Sequence, residues 1–97
     1  MTNATTSKDP RNLSDETMAR VIRETVTSKK KALIASTMVQ HNADIARADP
    51  NGGPRLERLC KAYAFLRQAG GHTRGLKVSG KAFRDAVENA AAALTGA

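Results

Sequence analysis

Tryptophan is absent from this chain of 97 residues, and tyrosine and phenylalanine together number only three. A core without large rings has to be assembled from Leu, Ile, Val, Met and many alanines. Alanine-lined helices approach closely, but each contact buries little area. A short chain of this kind also buries a smaller share of its surface than a long one. The core is therefore modest, and self-association is expected to supplement it. Cysteine is nearly as scarce. The single Cys60 excludes an internal disulfide and points to a reducing compartment. No apolar run approaches the ~20 residues that span a bilayer, and the N-terminus has no apolar h-region. The expected location is the cytoplasm.

Acidic residues are the next shortage, nine against sixteen basic ones, for a formal net charge of +7. The excess is local. Residues 1–28 are neutral, 29–48 carry +3 and 55–85 carry +6, with Asp49 and Glu88 outside those segments. A field concentrated in one part of a chain points to a polyanion, nucleic acid above all. Solubility alone is the other explanation of a basic surface.

What the chain does contain is helical patterning, and no segment alternates as a strand would. Residues 1–12 (MTNATTSKDPRN) are polar and aperiodic, and read as a disordered tail ahead of a single helical domain, 13–97. Ser14 can cap a helix, Asp15 and Glu16 suit its positive end, and Leu13 and Met18 occupy staple positions. Met18, Val21, Ile22 and Val26 share one face of this helix, 15–26. A second stripe, Ile34, Met38, His41 and Ile45, is rotated from the first by roughly 120°. A break near Thr27–Ser28 accounts for the change, giving a second helix at 29–48. Asp49-Pro50-Asn51-Gly52-Gly53-Pro54 is a strong loop signal. The third helix, about 54–69, should bury Leu56, Leu59, Cys60, Tyr63 and Leu66, and it ends at Gly70-Gly71. A fourth starts at Ser79, with Val78 and Phe83 as its staple. Phe83, Ala86, Val87, Ala90, Ala91 and Leu94 then form a ridge suited to close helix packing, where self-association is expected. The fold class is all-α, a small bundle of three to four helices.

The stretch GLKVSGKA, residues 75–82, satisfies G-x-x-x-x-G-K but places Ala82 where a phosphate loop needs Ser or Thr for magnesium. It also follows a helix rather than a strand, so it is not a nucleotide-triphosphatase loop. Its physics still applies: a helix N-terminus exposes unpaired N–H groups and a partial positive charge. Ser79 and Gly80 would shape the backbone there, and Arg74, Lys77, Lys81 and Arg84 lie within reach. Together they read as a clamp for a nucleic-acid phosphate, or else as a capped helix with solvated cations. Arg58, Lys61 and Phe65 share a face of the third helix. Phe65 could stack on a base, hold a partner protein, or pack under another helix. Lys29, Lys30 and Lys31 add a further basic run.

Little else suggests chemistry. His41, His72 and Cys60 lack metal-ligand spacing, and Cys60 reads as a buried hydrophobe rather than a nucleophile. No catalytic arrangement is evident, and neither an enzyme nor a cofactor is expected. The link from Gly70 to Val78 is too long for the turn of a helix-turn-helix reader. The sequence thus points to a small basic nucleic-acid-binding protein, DNA the expected partner, in a regulatory or packaging role, with a homo-oligomer expected. The alternative is an interaction module, such as a phage- or plasmid-encoded regulator or inhibitor, that binds an acidic protein surface.

Overall fold

The computed structural model describes residues 12–72 and 80–96. Among them the chain forms four α-helices and no strand, the all-α bundle expected from the patterning. The helices are α1 (Asp15–Thr25), α2 (Lys29–Ala48), α3 (Gly53–Arg67) and α4 (Lys81–Thr95), and one wide π turn (Gln68–His72) continues α3. The polar tail, except Asn12, lies outside the described residues, as do Arg74, Lys77, Val78 and Ser79.

Two serines set the helix starts. The Ser14 Oγ accepts from the Thr17 N–H at 3.1 Å, and the Ser28 Oγ accepts from the Lys31 N–H at 3.2 Å. Each satisfies one of the N–H groups that a helix start leaves unpaired. Ser28 is extended (φ −150°, ψ 163°), so α1 and α2 are separate helices, with the break where the apolar stripe rotates. The α4 start lies slightly later than the sequence suggests. Gly80 is the N-cap and Lys81 the first helical residue, and no side chain caps it.

The α2–α3 turn is held by the Gly52 N–H donating to the Asp49 carbonyl at 2.9 Å and the Asn51 N–H donating to the Asp49 carboxylate at 2.9 Å. Gly52 is required by proximity, because a Cβ there would collide with the Ala46 carbonyl oxygen. Gly71 is required by conformation. Its φ of 86° ends α3 in the left-handed region that glycine enters without steric cost.

Helix α3 is central and packs extensively on both α2 and α4, while α1 lies mainly on α4 rather than on its sequence neighbour α2. Met18, Ile22, Val39, Leu59, Leu66 and Leu94 are fully buried between them. Three sequence expectations change here. The core side of α2 is Ala32, Ala35, Ser36, Val39, Asn42, Ala43 and Ala46, while Ile34 is 60% exposed and Met38, His41 and Ile45 are only half-buried. Small side chains face α3 because they let the two helix backbones approach. Cys60 is exposed rather than a core residue, because Leu59, Ala62 and Leu66 turn the buried side of α3 away from it. Finally, the ridge from Phe83 to Leu94 is already covered within one chain by α1 and α3, so it offers no interface to a second copy.

Candidate nucleic-acid interface

The folding of α4 against α1 and α3 brings four helix ends together. Val26 and Thr27, after α1, line a groove with Phe83 and Arg84 of α4. The Lys29 side chain at the start of α2 lies over Gly71 at the end of α3. The π turn packs against both α2 and α4. One end of the bundle therefore carries the starts of α2 and α4. Neither has an acidic residue in its first turn, where acids are normally favoured, and both have lysine there instead. Lys29, Lys30, Lys31 and Lys81 thus stand at two positive helix ends, with Arg84 one turn further along. The structure brings these five sequence candidates and Gly80 together at one end.

Some of these cations have local work. Lys81 pairs with Asp85 at 2.7 Å across one exposed helical turn, a contact of small energetic weight. Lys31 Nζ donates to the Thr27 hydroxyl at 3.4 Å. Lys29 covers the C-terminus of α3, where carbonyl groups favour a cation. Lys30 is exposed.

Arg58, Lys61 and Phe65 also meet, but elsewhere. They line a groove of about 330 Å3 with Asn89, Ala92, Ala93 and Gly96, on the C-terminal half of α4. Ala92 is about 16 Å along α4 from Lys81, so the sequence candidates form two separate zones. Phe65 is half-buried and packs against the core, the third of its three readings. Arg58 is committed to the fold: its Nη2 donates to the Asp15 carboxylate at 2.9 Å.

That contact belongs to a polar hub the sequence does not reveal. Asn42 of α2 is fully buried, and its Oδ1 accepts from the Leu13 N–H at 3.0 Å and from Arg55 at 3.4 Å. Its Nδ2 donates to the Met38 carbonyl at 2.9 Å. Arg55 also reaches Asp15 at 3.1 Å and the Leu13 carbonyl at 2.9 Å. Asp15, only 16% exposed, thus receives two arginines of α3, and the start of α1 is locked to α2 and α3. The only sequence signal was an asparagine three residues after Val39 on the alanine face.

Beside the basic end, Arg23, Val26, Thr27, Phe83, Arg84, Val87 and Glu88 enclose a groove of about 480 Å3. Arg23 and Glu88 bridge its rim at 2.7 Å. The hydrogen bond from Arg23 holds the Glu88 carboxyl below its usual value, and the same bond raises Arg23. A lowered carboxylate value stabilises the fold in full above the unfolded value of about 4.3, and that contribution is lost as pH falls through the lower folded value. Glu88→Gln should therefore melt slightly below wild type at pH 7 and level with it in strong acid. Thermal melts across pH check this, and a gap that persists unchanged in acid would contradict it. Among the described residues no group of three His, Cys, Asp or Glu side chains is placed to hold a metal ion, and no helix is long and apolar enough to cross a membrane. Comparison of the chain with protein families, with curated proteins and with solved structures finds no match.

Proposed function

We propose that this chain is a small, non-catalytic nucleic-acid-binding protein that grips the phosphate backbone with the basic end of its bundle. One observation carries the reading: the starts of α2 and α4 lie at the same end, and each carries lysine rather than acid in its first turn. Lysine at that position opposes the helix dipole, so it is a poor choice for stability. An approaching polyanion reverses the sign, because the ammonium groups and the helix ends then attract the same phosphates. The reading is one of backbone contact without base preference, suited to a packaging or regulatory role.

Fluorescence anisotropy with duplex and single-stranded oligonucleotides across a salt series tests it. Wild type should bind with steep salt dependence. Lys81→Ala should reduce the slope of log K against log salt by about 0.9, and adding Lys30→Ala and Lys31→Ala should bring the loss to nearly 3. Lys29 is left in place because it also covers α3. Unchanged affinity and slope in the triple variant would refute the proposal.

A second reading rests on the neighbouring groove. Its floor of Val26, Phe83 and Val87 and Arg84 at its rim, beside the Arg23–Glu88 pair, fit a peptide that pairs an apolar side chain with an acidic one. On that reading the basic end meets an acidic protein surface, and binding to oligonucleotides is absent even at low salt.

A further inference from the structure

Helix α2 packs on α3 with its alanine face and leaves a second stripe facing outward. Ile34 is the one large hydrophobic side chain that is exposed among the described residues, and Met38, His41 and Ile45 continue its line at helical spacing, all half-buried, with Met38 also packed against the edge of the core. This stripe is symmetric about a point midway between Val39 and Gln40. In an antiparallel pair of α2 helices related by a two-fold axis at that point, Ile34 falls opposite Ile45 and Met38 opposite His41. The charges obey the same axis. Lys30, in a first turn without acids, falls opposite Asp49, the exposed C-cap at the far end of the partner's helix. A parallel pair would instead set three lysines against three lysines. Self-complementarity of one patch under a two-fold axis is what an isologous dimer requires.

We infer that α2 is a homodimer interface, in which a second copy of this chain lays its own α2 antiparallel across Ile34, Met38, His41 and Ile45. The stripe from Ile34 to Ile45 is about 16 Å long and about 12 Å wide, or roughly 200 Å2 per copy. That is under half of the ~800 Å2 per partner of a standard stable interface. The dimer is accordingly weak and concentration-dependent. Lys30 belongs to both this interface and the basic end, whereas Lys81 and Arg84 lie outside the interface, so Lys81→Ala should leave the dimer unchanged.

Cross-linking tests the register. In a Cys60→Ser background, which removes the exposed native thiol, Ile34→Cys and Ile45→Cys are prepared as separate proteins. Each alone should stay monomeric under diamide, because like positions in the dimer lie about 16 Å apart along the axis, beyond disulfide reach. An equimolar mixture should give a disulfide-linked heterodimer on a non-reducing gel. Cross-linking of Ile34→Cys to itself as readily as in the mixture would overturn the inference. Sedimentation supplies a second measure. Ile34→Glu should abolish concentration-dependent association and Ile34→Leu should preserve it, both with wild-type helicity, since residue 34 is exposed. A wild-type chain that sediments as a monomer up to about 1 mM would equally overturn it.

Discussion

Replacing Asn42 with alanine should cost about 3 kcal/mol of folding stability, and replacing it with leucine about 2. The side chain has no exposure to water and joins three segments: it accepts from the Leu13 N–H and from Arg55, and donates to the Met38 carbonyl. Alanine leaves a buried N–H without its acceptor, removes one partner of a half-buried guanidinium, and opens a small cavity. Leucine fills the volume and leaves only the lost hydrogen bonds, so the two variants separate packing from polarity. For a domain of this size a loss of 3 kcal/mol lowers the melting temperature by about 15 °C. Urea titration and thermal melts of both variants check the values. An Asn42→Leu protein as stable as wild type would show that the Asn42 hydrogen bonds add nothing net to the fold.

The same hub shows why the charge field could be read only in part from the sequence. Arg55 and Arg58 counted toward the basic stretch 55–85, yet both converge on Asp15, more than forty positions earlier in the case of Arg58. Linear charge counting has no means of seeing a pair at that separation. Lys29–Lys31 and Lys81 could be placed from the sequence because lying in a first turn is a local property. What the sequence did not show is that α2 and α4 start at the same end of the bundle.

Helix boundaries were readable for a comparable reason, since they are local chemistry. Ser14 and Ser28 cap α1 and α2 through bonds three residues ahead, and the Pro-Asn-Gly-Gly-Pro stretch cannot continue a helix. The faces of the helices were less readable. In α2 the conspicuous residues Ile34, Met38 and Ile45 outweigh alanine on any hydrophobicity count. Closeness to α3 favours small volume over apolar area, so the alanines went inward. In α3 the expected Leu59 and Leu66 went inward with Ala62, and only Cys60, at the edge of that face, was left outside. A chain poor in large side chains makes this error systematic: its core is marked by small size, which hydrophobic periodicity does not register.

Leu94→Lys should unfold the domain rather than separate two copies of it. The leucine is fully buried on α4, in line with Phe83, Ala86, Val87, Ala90 and Ala91, and α1 and α3 cover that line within a single chain. The substitution forfeits roughly 2 kcal/mol of apolar burial. It also forces an ammonium group either into the core without a partner or out to water at the expense of the last turn's packing, and either course costs several kcal/mol more. A chain of this length has a stability of about 5–15 kcal/mol in total, so the loss takes half of it or more. Thr95, one position along, is exposed, and its hydroxyl only returns to the Ala92 carbonyl at 3.2 Å. Thr95→Lys should therefore stay within about 1 kcal/mol of wild type, and a cation near a helix C-terminus is electrostatically favourable. Circular dichroism and sedimentation on the two variants distinguish the cases. Leu94→Lys should lose helicity at ambient temperature while Thr95→Lys keeps it. A helical, stable Leu94→Lys monomer would mean that α4 is not packed as described and that its ridge is open to a partner after all.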